Sequence, residues 1–198
     1  MDYRLDLAPV FQPDLLADER VLWAGQPRPG LTFGPGDLFL VPFSLLWGGF
    51  AIFWEAGALG FSDNHPEFTL FALFGIPFLV IGQYLIWGRF LYKAYRNRRT
   101  FYSLTNQRIL IVTLTRTRRL QSLFLQQVPT TNKSVRRDGR GSLEFGVLPY
   151  QSALYANSGM EFLIGRTGLT VPIFYDIADV EAVYQLVMRR RADLQQSA

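Results

Sequence analysis

Few side chains in this 198-residue chain could do chemistry. There is no cysteine, which excludes disulfides, thiolate nucleophiles and thiolate metal sites. That absence also suits a reducing compartment. The single histidine, His65, excludes a multi-histidine metal site within one chain and leaves no nucleophile–base pair to assemble. Asp63-Asn64-His65, then Glu67, offers one imidazole and two carboxylates to a divalent cation. With Pro66 beside it, however, this stretch reads as a plain polar connector. Glu55 is a carboxylate at membrane depth, a functional candidate only if it faced inward. Near the outer end of its run it reads as a solvated interfacial group. Gly139 and Gly141 sit between strands and serve a hairpin, not a phosphate loop before a helix. No catalytic, cofactor or metal residue is assigned, and enzymatic activity is not expected.

The arginines remain. Residues 89–140 hold 13 basic residues against one acid, Asp138. Arg116, Arg118, Arg119, Arg136, Arg137 and Arg140 lie at strand ends or turns. They are the candidates for contacting anionic lipid headgroups or a protein partner. A basic side chain at an anionic leaflet contributes about 1 kcal/mol, fading within a Debye length. Arg96, Arg98 and Arg99 read instead as topology signals. The arginines are not interleaved along one helix, so nucleic acid is not an expected partner.

The elements that must hold these groups begin with two apolar runs, Leu38–Trp54 and Phe68–Trp87, in a stretch without Lys or Arg between Arg28 and Arg89. A helix rises about 1.5 Å per residue, so about 20 residues cross a hydrocarbon layer of about 30 Å. The second run fits unaided; the first fits if its helix continues through Glu55 to about Leu59. Neither shows the polar stripe of a buried soluble helix. The reading is a transmembrane hairpin over 37–92, with spans near 38–59 and 68–88. Trp47, Trp54, Trp87, Tyr84 and Tyr92 would supply interfacial aromatics. Gly48, Gly49, Gly75 and Gly82 would let the helices approach closely. Pro42 and Pro77 are tolerable in such helices. Residues 1–36 read as a cytoplasmic leader without a signal-peptide core: Leu15–Trp23 would form a short helix or strand before the turn-rich Gly25–Gly30, and the plainer reading is a loosely ordered segment. Arg20 and Arg28 before the hairpin, and Arg89, Lys93 and Arg96 after it, predict cytoplasmic termini and an outer loop at 60–67.

After Arg99 the pattern changes to short strands: Thr100–Leu104, Gln107–Leu114 after a Thr105-Asn106 turn, Leu120–Val128, an extended Thr130–Arg137, and Ser142–Leu148 with Leu143, Phe145 and Val147 on one face. Met160–Ile164 and Leu169–Phe174 form a last pair around Gly165–Gly168, with Pro172 marking an edge or a bend. A helix follows, capped by Asp176, with Ile177, Val180, Val183, Tyr184 and Val187 as its core stripe and Arg189, Arg190 and Arg191 in its last turn. The fold class is α+β: a membrane hairpin, then an antiparallel barrel or sandwich over 95–192 closed by a C-terminal helix.

Glu19-Arg20-Val21-Leu22-Trp23-Ala24-Gly25-Gln26-Pro27, the two spans, Tyr102-Ser103-Leu104-Thr105-Asn106-Gln107-Arg108-Ile109-Leu110 and the Gly139/Gly141 turn before Leu143 and Phe145 resemble bacterial membrane proteins with a pleckstrin-homology-like domain. So does Phe174 to Tyr184. The resemblance covers nearly the whole chain from Leu15, and it implies two bent, nearly orthogonal sheets capped by a helix. It carries over no catalytic residues and no defined ligand. With the hairpin, it implies a multi-pass protein of the bacterial inner membrane. The expected role is a tethered, non-enzymatic binding or scaffold module. The alternatives are a structural or assembly subunit, including a homo-oligomer, and a membrane enzyme or transporter component using Glu55, Asp63, His65 and Glu67.

Overall fold

The computed structural model describes residues 6–30, 33–34, 36–62, 69–149, 157–160 and 171–196. The proposed metal cluster at Asp63, His65 and Glu67 lies outside these residues. So do the expected strand residues 161–164 and 169–170 and the turn between them. The described chain divides into two compact units. One holds residues 33–34, 36–62, 69–93 and 157–160; the other holds 6–30, 94–149 and 171–196.

The first of these units is built on α1 (Asp37–Ser62) and α2 (Thr69–Gln83), the latter continuing through a widened turn at Tyr84–Gly88 into α3 (Arg89–Asn97). Stretches of 24 residues (Asp37–Gly60) and 26 residues (Ala72–Asn97) are long and apolar enough to cross a bilayer. Of their most apolar windows only 28% and 22% is buried, so the apolar surface points outward, unlike that of a soluble core helix. Where α1 meets α2 the seam is small. A Cβ at Gly82 would come within 3.1 Å of the Gly48 Cα, and Ala51 and Ala72 are buried. The absent side chains of Gly48 and Gly82 bring the two backbones together as expected, and Gly75 makes room for Glu55, but Gly49 meets open space. Trp47 departs from expectation. It packs at 6.1 Å from Phe78 and against the Leu40–Leu85–Met160 cluster, so it faces the hairpin's interior, not an interface.

The other unit holds two antiparallel sheets that do not close into a barrel. The first runs β1 (Val21–Gly25), β2 (Thr100–Thr105), β3 (Arg108–Leu114), β4 (Arg118–Phe124); the second runs β5 (Asn132–Val135), β6 (Gly141–Glu144), β7 (Ile173–Ile177). A helix, α4 (Val180–Gln196), follows. Phe174 lies at the centre of the core, with Tyr102 at 4.7 Å, Phe145 edge-on at 5.0 Å and Trp23 at 5.6 Å. Val180, Val183 and Val187 of α4 join the same cluster, so the stripe is core.

In the leader, the structure takes the strand of the two readings, helix or strand, and orders more of the segment than its plainer reading expected. Its residues Val21–Gly25 form β1 and pair with β2. Phe11, Leu7, Val10 and Leu15 lie over Leu110, Val112 and Ala24. This explains the unbroken apolar run of β3. Ile109 and Ile111 face the central core while Leu110 and Val112 face the leader, so both faces of the strand are covered.

Other boundaries move for local reasons. β4 ends at Phe124, not Val128, because Leu125 and Val128 enter the core three residues apart through a 3₁₀ turn at Leu125–Gln127. Val147 does not share the face of Leu143 and Phe145. It is exposed, three residues past the end of β6 at Glu144 and beyond Gly146, whose φ is +151°. Asp176 caps nothing; it ends up inside β7, and the helix starts at Val180, after Asp179 in the left-handed region. Because α4 runs to Gln196, Arg189–Arg191 lie mid-helix. Arg190 donates to the Asn106 carbonyl (3.0 Å) and Arg191 to the Val128 carbonyl (2.7 Å).

One glycine is required by a close approach. A Cβ at Gly141 would collide with the Ser134 carbonyl oxygen across the β5–β6 pair. Gly141→Ala is expected to lower stability by at least about 1–3 kcal/mol, the usual scale of overpacking. Hydrogen exchange should show the β5–β6 amides losing protection first.

Candidate functional site

The six candidate arginines separate into two groups on different sheets. Arg116, Arg118 and Arg119 surround the β3–β4 turn; Arg136, Arg137 and Arg140 surround the β5–β6 turn. Their neighbours divide them again. Arg118 is engaged by the leader, pairing with the Asp14 carboxylate and donating to the Val10 carbonyl (2.8 Å). Arg136 Nη1 stands 3.3 Å and Arg140 Nε 3.4 Å from Asp176 Oδ1, and Arg140 also reaches the Asp176 carbonyl oxygen. Asp176, buried inside a strand, thus holds that turn. Arg116, Arg119 and Arg137 are exposed and make no ion pair among the described residues. These three remain available to an external anion.

The Arg116–Arg119 group is continuous with the outer edge of its sheet. β4 pairs with β3 over seven residues in unbroken register, Arg108 opposite Phe124 through Leu114 opposite Arg118. No described strand pairs with its other side. Leu120 and Phe124 on that strand are 43% and 40% exposed, and Ser122 between them is exposed too.

Glu55 is not a solvated interfacial group. Its Oε2 is buried against Gly75 without a hydrogen-bond partner. The cavity beside it, about 210 Å³, is lined by Trp47, Phe50, Trp54, Phe74, Gly75 and Phe78. That lining supplies neither a second ligand nor a proton acceptor. Among the described residues no group of three His, Cys, Asp or Glu side chains could hold a metal ion.

Two buried charge clusters escaped the reading from sequence. In the first, Glu19 accepts from Arg108 Nε and Nη2 (2.9 Å each), from Thr105 Oγ1 (2.6 Å) and from the Leu16 N–H (2.8 Å). Asn106 adds a bond to the Asp18 carbonyl (3.1 Å) and accepts from the Arg20 N–H (2.8 Å). The motif around Thr105–Arg108 is therefore the socket for Asp18-Glu19-Arg20. Burial raises the Glu19 carboxyl, but the Arg108, Leu16 and Thr105 hydrogen bonds outweigh it and hold the group below the usual carboxylate range. In the second cluster, Asp37 pairs with Arg89, stands 4.0 Å from Lys93 and accepts from the Gly34 N–H (2.6 Å). Arg89 is fully buried, with its guanidinium 4.1 Å from the Phe90 ring centroid. Arg89 and Lys93, read from sequence as flanking topology signals, are thus internal to their unit. The signal that could have exposed both clusters was pairing. Asp37 is the one acid at the start of the first apolar run, and Glu19 and Arg108 both fall in the family-like stretches.

No family model, curated protein or solved structure matches the chain.

Proposed function

We propose that this chain is a membrane-tethered, non-enzymatic binding module. Its sheet unit, read as a pleckstrin-homology-like domain, meets a cytoplasmic partner protein or anionic headgroups. The observation that carries the reading is the outward apolar surface of two helices long enough to cross a bilayer, a surface that lipid would cover. The pleckstrin-homology-like reading is supported by the sheet orders: β1-β2-β3-β4, with β1 drawn from ahead of the two long helices, then β5-β6-β7 and a helix packed on the shared core. A binding role is supported by Arg116, Arg119 and Arg137, which no described acid neutralises. The bacterial inner membrane is what the resemblance implies, and cytoplasmic termini are supported by Arg20, Arg28, Arg98 and Arg99, which remain outside the buried Asp37 cluster. Of the four glycines named for helix packing, Gly48, Gly75 and Gly82 are used between the two helices and only Gly49 meets open space, which leaves an assembly subunit little small-residue surface.

The test uses the absence of native cysteine. Single replacements Ser62→Cys, Ser142→Cys and Ser197→Cys are labelled in intact cells with an impermeant reagent. Labelling at 62 alone is expected. Labelling at 142 or 197, or release of the chain from membranes by alkaline carbonate, would overturn the reading.

A further inference from the structure

We propose that the open side of β4 receives an extended acidic segment of a partner protein as an added strand. The inference rests on the binding role above and names its partner by chemistry. The Leu125 N–H donates to the Gln107 carbonyl (3.0 Å). Antiparallel ladders alternate, so the mutually bonded pairs inward from there are Ile109–Leu123, Ile111–Gln121 and Thr113–Arg119. The N–H and C=O groups of Leu120 and Ser122 therefore point away from β3, and no hydrogen bond among the described residues takes them.

Proteins guard such edges with charge, proline or a bulge. From Leu120 to Phe124 there is no charged residue and no proline, and the register does not shift. The competing edges are already engaged or guarded. On β7, the Asp176 carbonyl accepts from the Arg28 N–H (3.2 Å) and from Arg140, and the Tyr175 N–H donates to the Tyr102 hydroxyl (3.2 Å). These bonds occupy the outer side of β7, which begins just after Pro172. β5 is four residues long and carries Lys133. β1 is broken by a register shift between Val21 and Trp23.

The partner's composition follows from the side chains along β4. Leu120 and Phe124 offer half-exposed apolar contacts on one face, which an added strand meets with apolar residues at alternate positions. Arg116 and Arg119 stand unpaired at one end and select carboxylates there.

The full chain in phosphatidylcholine nanodiscs is titrated with a fluorescein-labelled Asp-Asp-Val-Thr-Val-Thr-Val peptide, read by anisotropy. The expected result is saturable binding, at least tenfold weaker when the two aspartates become lysines. Ser122→Pro removes one outward N–H without touching the β3 ladder and should weaken binding at least tenfold. Arg116→Ser with Arg119→Ser, exposed positions whose loss cannot unfold the sheet, should weaken it severalfold and flatten its salt dependence. No binding, or binding that both variants leave unchanged, overturns the proposal. So does a wild-type dimer that Ser122→Pro dissolves, which would assign the edge to a second copy. Membrane extraction and cysteine labelling are independent of this peptide, so failure of the edge leaves the tethered reading standing, and the reverse.

Discussion

Arg108→Met is expected to destabilise the sheet unit by about 3–5 kcal/mol, the scale for removing one partner of a buried pair. Methionine fills much of the space but leaves the Glu19 carboxylate, whose side chain is fully buried, with only Thr105 and the Leu16 N–H. It also deprives the Asp14 carbonyl of the Arg108 Nη2 donor (2.5 Å), so the leader loses two anchors at once. Urea unfolding in detergent, followed by hydrogen exchange of the β1–β3 amides, measures this. β1 should exchange first. The same cluster fixes an acid limb. In the folded chain the Glu19 carboxyl sits below its ordinary value, so its anion stabilises the fold above the unfolded pKa of about 4.3. That contribution falls away as the pH drops from there through the lower folded value. Glu19→Gln should flatten stability across that window. An unchanged acid limb in Glu19→Gln would refute the assignment.

Asp37→Asn should cost a similar amount, about 3–5 kcal/mol, in the helical unit. It removes the carboxylate that faces two buried cations, Arg89 and Lys93. Among the described residues Arg89 would keep only the Leu85 carbonyl, which accepts from its Nε (2.8 Å), because one buried guanidinium nitrogen already has no partner. The check is a double-mutant cycle in micelles with Arg89→Met, followed by thermal unfolding. The double variant should recover at least half of the loss, because it removes the cation together with its counter-ion. A double variant that is only additively worse would show that space, not charge, holds this end of the helices.

Local signals were enough for the two long apolar helices, β2, β3, the β5–β6 turn and the valine stripe of α4. Each depends on apolar spacing or turn residues within one segment, and both are printed in the chain. Boundaries failed where a neighbour intervened. Leu125 leaves the strand pattern because the core takes it together with Val128 three residues on. Asp176 looks like a cap, yet β6 and two arginines hold it inside a strand.

The candidate arginines were visible as charges, but not their assignments. Arg118 and Arg140 are as basic as Arg116 and Arg119. Only the fold brings Asp14 and Asp176 to the first two, across 104 and 36 residues of chain. The open side of β4 was invisible for the same reason, since an edge is defined by a missing neighbour.

By itself, then, the order of residues determined the apolar lengths, the glycine seam, the absence of thiol chemistry and the basic bias after the hairpin. Tertiary structure alone decided that the leader's segment is a strand rather than a helix and where it docks, that Glu19 meets Arg108 and Asp37 meets Arg89, and which strand keeps a side that no described strand covers. The physical reason is range. Hydropathy and helical or strand periodicity act within a few residues, whereas a buried charge finds its counter-ion only after distant segments have been brought into contact.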